Sequence, residues 1–453
     1  MASKRDLVEA HAFNRRRLVT AFVSGAPGGR EVEPARPARA VVGGLVLAVL
    51  VVAGAAIAGY LRPGLPSGWN ENTLVVARTS GARYVATGGV LYPVANTTSA
   101  RLLVPAEDFR VVQAPDDRIA TQPRGSAIGI IGAPDALPGA DDLVQSGWSS
   151  CVDQQGRTRL RISAAPAAVP ALPGSALLVS SGPGELFVVV DHARHRVSAQ
   201  DRDATLRALG LDAGDPQRVP GAWVDQFPLA DDLAPLRVPA VRGGVPDAQP
   251  GLPAYGTKVL VPQPNGSDRA YVRTQQGLSP LSELASALYD VGAGPDAAAP
   301  VRVTQAELSS LPTTDALYPA NWPTELPTRL DSPVACALLT TEAQQLPVVT
   351  LAVPAGPASE PAATSGAVVD PSHGALVRAV AGGIVNRGEV FLVDATGTLY
   401  ALGSPEPTVQ AQLGYAGLTP AAVPLAFLDA LRPGPELAAG AARQLVAPQG
   451  APS

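Results

Sequence analysis

GELFVVVDHARHRVSAQDRDATLRALG (residues 184–210) lies over GEVFLVDATGTLYALGSPEPTVQAQLG (residues 388–414) without a gap, at an offset of 204. Gly184-Glu185-Leu186-Phe187 meets Gly388-Glu389-Val390-Phe391, and Leu209-Gly210 meets Leu413-Gly414. The register continues beyond the quoted stretch. Pro216 falls on Pro420, Val219-Pro220 on Val423-Pro424, Asp225 on Asp429 and Leu233 on Leu437. Matches this dense in one register mark an internal repeat.

Each copy opens with an apolar run, Leu186–Val190 or Val390–Val393, then a polar turn, then a second short run at Arg196-Val197 or Leu399-Tyr400. The turn of the later copy, Ala395-Thr396-Gly397, contains a glycine suited to positive φ, so the pair reads as a β-hairpin. Asp201–Leu209 reads as a helix closed by Gly210 at its C′ position. Pro220–Phe227 reads as a second short helix with proline at its first position, where a missing N–H costs little. Trp223, Val224 and Phe227 then share a face, as do Phe427, Leu428 and Leu431. With Phe187, Leu209, Phe391 and Leu413, these side chains are expected to form the core of each repeat.

A further copy sits at an offset of 84 from the first of this pair: Tyr271 falls on Phe187, Gly294 on Gly210, Pro300 on Pro216 and Val303 on Val219. A divergent copy starts at Arg83-Tyr84-Val85 and is expected to end at Pro134–Pro138. The repeats are therefore placed at 63–138, 184–237, 269–313 and 384–438, the first with a different internal spacing. The segments between them, 139–183, 238–268 and 314–383, carry strand-like runs such as Lys258–Val261, Cys336–Leu339 and Val348–Val353. They are expected to assemble a central β core, with residues 354–374 as a Pro/Ala-rich surface loop and 439–453 as a C-terminal tail.

Composition agrees with short elements. The 453 residues include 46 Pro and 45 Gly. Pro in a helix interior costs about 3 kcal/mol, which excludes a long-helix architecture. The fold class is α+β and β-rich. Net charge is −5, which argues against a nucleic-acid partner. Residues 1–39 run against that trend, with eight basic side chains and four acidic ones.

Val41–Leu61 reads VVGGLVLAVLVVAGAAIAGYL and carries no charge. As a helix it is about 32 Å long, matching a hydrocarbon core of about 30 Å. A transmembrane helix over 40–62 is expected. A cleaved signal peptide is the alternative, with Ala56-Ile57-Ala58 as its cleavage triplet, but the n-region and apolar run are both too long for one. The basic cluster precedes the span, so residues 1–39 are expected in the cytoplasm and the remainder outside. Leu18 and Phe22 lie four apart in the basic segment, as on one helix face. The chain has two cysteines. Outside the cell they become candidates for one long-range disulfide, Cys151 with Cys336, stapling the central core.

Catalytic motifs are sparse. Gly251–Lys258 resembles a P-loop only loosely: its last pair is inverted and Pro253 interrupts it. Outside 1–39 the only lysine is Lys258, and Tyr255 stands where an SxxK dyad needs serine. There is no GxSxG elbow. His192 and His195 form HxxH on the first hairpin, with Asp191 as an available third ligand, but copy four has Thr396 and Leu399 there. Asp116-Asp117, Asp141-Asp142 and Asp231-Asp232 read as solvated loop charges. No catalytic residue, cofactor or metal site is assigned.

Taken in order, these features resemble the EccB family of the actinobacterial type VII (ESX) secretion machinery. The basic segment has FxRRxL character at Phe13, Arg15, Arg16 and Leu18. The span exits through Leu61-Arg62-Pro63. Trp148–Cys151 form WxxC, with Cys336 far downstream. The C-terminal copy carries Gly374–Arg378, Leu413-Gly414-Tyr415 and Leu431–Pro435. The resemblance covers essentially the whole chain. It implies an elongated exported region with four repeats around a β-rich domain held by one disulfide. It also implies a structural subunit of an inner-membrane complex that exports ESX/WXG100-type proteins. The implied partners are EccC, EccD and EccE-like subunits, the mycosin protease and further copies of itself. Some family members are described as ATPases; here the missing P-loop argues against that, and EccC is the expected motor. A repeat array offers an extended surface, so the alternative is an anchor to cell-wall peptidoglycan.

Overall fold

A computed structural model describes residues 3–24, 37–60, 65, 67–238, 253–294, 298–356, 366–380, 384–385 and 387–446. The chain divides into two compact units, Met1–Pro66 and Ser67–Ser453. Leu61 and the Arg62-Pro63 exit, residues 357–365 of the Pro/Ala-rich loop and tail residues 447–453 lie outside the described residues.

In the first unit α1 spans Lys4–Ser24 and α2 spans Pro37–Tyr60. Leu18 and Phe22 are both exposed on α1. Within α2, Ala40–Ile57 is the one helix among the described residues long and apolar enough to cross a membrane, and none of that window is buried. An unburied run of Val, Leu and Ala is unstable in water and stable in hydrocarbon, where a helix satisfies every backbone group internally.

The second unit is built from five sheets. In chain order, the first holds β1 (Thr73–Ala77), β2 (Arg83–Thr87), β3 (Val90–Pro93) and β4 (Arg110–Ala114), with α3 (Thr97–Leu103) before β4 and α4 (Asp116–Ala120) after it. Next come β5 (Trp148–Asp153), β6 (Thr158–Ile162) and β7 (Ala168–Pro170). The following group is β8 (Ser175–Gly182), β9 (Glu185–Val190), β10 (Ala193–Val197), α5 (Arg202–Ala208), β11 (Gln217–Arg218), α6 (Gly221–Val224) and β12 (Leu229–Leu233). It is followed by β13 (Lys258–Pro262), β14 (Asp268–Arg273), β15 (Leu278–Leu281), α7 (Glu283–Ala293), β16 (Val301–Arg302) and α8 (Gln305–Ser310). Then come β17 (Thr328–Arg329), β18 (Val334–Thr340), β19 (Val348–Pro354) and β20 (Gly366–Val369). The last group is β21 (Ala375–Val380), β22 (Val390–Val393), β23 (Thr398–Ala401), α9 (Glu406–Leu413), β24 (Ala421–Pro424), α10 (Leu425–Leu428), β25 (Arg432–Pro433) and α11 (Ala439–Ala442).

Four sheets share one pattern. Three strands form an antiparallel meander, a helix follows, and a fourth strand runs parallel beside the first: β4 beside β1, β11 beside β8, β16 beside β13 and β24 beside β21. A short segment then runs parallel beside the third strand, as β12 does beside β10 and β25 beside β23. Single bridges do the same at Leu278–Thr313 and Leu91–Arg124. The helix between third and fourth strands supplies the crossover that parallel pairing requires. Gly210 and Gly414 follow α5 and α9 with φ of 67° and 99°, where a side chain would be strained.

This topology moves several expected boundaries. Ser175–Gly182, Lys258–Val261 and Ala375–Val380 were assigned above to the central core. They are instead the opening strands β8, β13 and β21 of three meanders, each hydrogen-bonded to the strand that follows it. An antiparallel neighbour needs only a tight turn, so the local partner wins. The divergent first copy closes its parallel pairing at Arg124 and Ile128, not at Pro134–Pro138. Pro220 caps α6 in an extended conformation, and that helix is a single turn.

The fifth sheet is the central one, ordered β20-β6-β5-β18-β19-β7. It is assembled from two stretches separated by the second and third meanders. The two stretches pair at β5–β18, β6–β20 and β7–β19, and the antiparallel β5–β18 pairing places Cys151 directly opposite Cys336. The two cysteines form a disulfide with Cα atoms 3.9 Å apart and a sequence separation of 185. Cys336 is fully buried and Cys151 nearly so. Such a link restricts the unfolded chain, and the cost of losing it is about 2–4 kcal/mol. The double variant Cys151→Ser/Cys336→Ser is expected to unfold at a lower urea concentration than the oxidised protein by a corresponding margin; an unchanged midpoint would contradict this.

Candidate functional site

The residues singled out for chemistry are held apart. Lys258 begins β13 and forms an ion pair with Asp290 of α7 at 2.7 Å. The turn before it is closed on itself: the Gly256 N–H donates to Arg273 O, and Thr257 N–H to Ala254 O. Those amides are committed, whereas a phosphate cradle needs them free.

The two histidines of HxxH also diverge. His195 on β10 is 1% exposed, and its Nδ1 lies 2.8 Å from Asp231 O. His192 contacts β19, with Nδ1 3.3 Å from Val349 O and 3.0 Å from Thr350 Oγ1. Asp191 accepts from the Gly174 N–H. Among the described residues no group of three or more His, Cys, Asp or Glu is placed to hold a metal ion. Asp116 accepts from the Thr79 and Ser80 N–H groups, and the Ser80 hydroxyl, together with those amides, holds its carboxyl below the ordinary range. Carbonyls of Asp231 and Asp232 receive His195 and the Trp322 indole respectively.

What the structure does bring together is the aromatic and aliphatic set. Side chains alternate across a strand, and the run Leu186–Val190 is apolar because both faces of its sheet are covered. Phe187 and Val189 face the central sheet, in one cluster with Trp148, Val152 and Leu160. Trp223, Phe227, Phe427 and Leu431 belong to that same cluster, and Phe391 packs against it half-buried. The Trp223 indole donates to Ser150 O on β5 at 2.8 Å, and its ring meets Phe227 edge-on at 5.3 Å. These residues thus pack both on one another and on the central sheet, which they share between the second and fourth meanders.

The opposite strand faces make the outer junctions. Leu186, Val188, Val190 and Leu209 pack with Val272, Leu284 and Leu288 of the third meander. Leu376, Leu392 and Leu413 pack with Leu102 and Ile130 of the first. There Gln412 Nε2 donates to the carbonyls of Leu102 and Val104, and the Tyr415 hydroxyl donates to Pro138 O at 2.8 Å. Burial pushes the Tyr415 phenol up. Gln217, on β11, reaches Val152 O and Asp153 O of β5 in the same way. Sequence reasoning passed over these glutamines, since a lone polar residue at a strand or helix position carries no periodic signal.

The class follows from this arrangement: one helix of spanning length, then a strand-rich body of like-patterned small sheets tied to a disulfide-closed central sheet. The family follows from comparison. The chain belongs to the family described as type VII secretion system ESX-1, transport TM domain B (EccB), which matches residues 1–448. It is 29% identical over 456 residues to the ESX-3 secretion system ATPase EccB3 of Mycolicibacterium smegmatis, covering 90% of this chain and 84% of that protein. It is 29% identical over 357 residues to the ESX-5 secretion system ATPase EccB5 of Mycobacterium tuberculosis, covering 74% and 68% respectively. An EccB3 dimer from an ESX-3 core complex has a similar fold, with a TM-score of 0.66 at 26% identity over 83% of this chain and all of that one. So does a chain in an intact ESX-5 inner membrane complex, with a TM-score of 0.66 over 100% of this chain at 24% identity.

The burial of His195 gives a test of the packing of the second meander. Burial lowers its pKa from an ordinary value near 6.5, against smaller opposing effects from Asp231 and Asp232. The fold therefore favours the neutral ring, and the unfolded chain takes up the proton first as pH falls. Stability is full above the ordinary pKa and declines as pH drops below it. The urea midpoint is expected to fall between pH 7.5 and pH 5.5 by more in the wild type than in His195→Gln; equal falls would contradict the assignment.

Proposed function

We propose that this chain is a structural subunit of a type VII (ESX) secretion inner-membrane complex, supporting its assembly and the export of ESX/WXG100-type proteins. The observation that carries the reading is the continuity of the family match through the apolar helix and the strand-rich body alike. The basic residues before α2 favour a cytoplasmic N-terminus and an exported second unit. We read the four like-patterned sheets as four copies of one repeat, the last three each beginning one strand earlier than sequence matching alone placed them. Candidate partners are EccC, EccD and EccE-like subunits, a mycosin protease and further copies of this chain.

The names of the relatives carry the word ATPase. Here the lysine nearest to a P-loop pattern is paired with Asp290, so a holding role rather than turnover fits the geometry. Affinity purification of the full chain from membranes in mild detergent is expected to recover ESX membrane subunits in defined ratio; recovery of the chain alone would overturn the assembly role. ATP turnover by the purified protein that vanishes in Lys258→Ala would overturn the non-catalytic reading.

A further inference from the structure

Helix α1 is exposed almost throughout, and its side chains are sorted by charge around the axis. At about 100° per residue, Leu7, Ala10, Leu18, Ala21 and Phe22 fall within an arc of about 120°. Leu18 is 71% exposed and Phe22 93%, so nothing in this unit covers that stripe. Its other members, His11 and Asn14, carry no negative charge, and Lys4 stands at its edge. Arg15 borders the stripe on one side and Arg17 on the other. Val8 and Val19 widen the apolar surface past Arg15. The carboxylates of α1, Asp6 and Glu9, both lie beyond Arg17, turned away from the stripe.

This arrangement favours one kind of partner. A helix lying in a bilayer surface puts its apolar stripe among the acyl chains and its flanking cations at the headgroups. Arginines beside the stripe reach that level along their aliphatic stems, and carboxylates are best placed on the side away from an anionic surface. α1 has five basic side chains and two acidic ones, which suits anionic lipid. A helix seated in a protein groove carries large apolar anchors on successive turns. Here the large residues of the stripe are Leu7, Leu18 and Phe22, with Ala10, His11 and Asn14 filling the turns between. A lipid surface adapts to such a sparse row, whereas a fixed groove does not.

The chain also keeps a bilayer within reach. Ser24 ends α1 and Pro37 begins α2, 13 positions later. That length of chain spans at most about 47 Å, so α1 stays near the surface at which α2 enters the membrane. We propose that α1 lies in the plane of the anionic phospholipid leaflet beside α2, with Leu7, Leu18 and Phe22 in the acyl region and Arg15 and Arg17 at the phosphates. This rests on the reading of α2 as a membrane span.

The two native cysteines are joined in a disulfide, so an introduced thiol takes a spin label selectively. The full chain is placed in nanodiscs of equal parts phosphatidylcholine and phosphatidylglycerol, labelled at Ala21→Cys on the stripe or at Thr20→Cys on the other side. Collisions with oxygen, which concentrates in lipid, are compared with those of a water-soluble nickel chelate. Residue 21 is expected to meet mainly oxygen and residue 20 mainly the chelate. Replacing the phosphatidylglycerol by phosphatidylcholine, or introducing Arg15→Gln with Arg17→Gln, is expected to raise chelate collisions at residue 21 about fivefold. The proposal is overturned by equal profiles at residues 20 and 21, or by a profile at 21 indifferent to anionic lipid and to both arginines. Shielding of residue 21 from both reagents would show a protein contact and overturn it as well. A chain that elutes apart from the discs would overturn the spanning helix itself, and the proposal with it.

Discussion

The pairing of β5 with β18 is the constraint on which the second unit depends. These strands come from opposite sides of an insertion containing two whole meanders, and the register fixes Cys151 against Cys336. A slip of one residue would move Trp148 and Val152 off the face they share with Ala335, Ala337 and Leu339. It would also separate the two sulfurs. The disulfide and the hydrophobic face therefore specify the same alignment, and each reinforces the other.

From that sheet the architecture propagates by two-sided burial. One face receives Phe187 and Trp223 from the second meander and Phe427 and Leu431 from the fourth. Each of these meanders then offers its other face to a neighbour: the third packs on the second, and the first on the fourth. The sheets at the two outer positions need less aromatic surface. At the position of Trp223, the α8 helix carries Glu307, which completes a capping box with Thr304. The same backbone pattern thus serves inner and outer positions, and a few side chains on its last short helix distinguish them.

Legibility followed periodicity. The hairpins β9–β10 and β22–β23, the helix before Gly210 and the apolar helix α2 each carry a local signal of turn residues, spacing or continuous apolarity. The first strand of each meander does not stand out, because runs such as Ser175–Gly182 and Lys258–Pro262 suit any sheet. Only hydrogen bonding shows which one they join. The divergent first copy illustrates the same limit: its closing contacts are single bridges, which leave little trace in composition.

The sequence by itself determined the spanning helix, the β-rich class, the register between 184–210 and 388–414, and the family resemblance. These depend on properties that neighbouring residues share along the chain. The tertiary structure alone decided that Trp223, Phe227, Phe427 and Leu431 share one cluster with side chains of the central sheet. It also decided that His192 and His195 face different partners, and that Lys258 is spent on Asp290. Burial and pairing between segments hundreds of residues apart are set by which faces remain uncovered after each local unit has formed. No window of sequence contains that information.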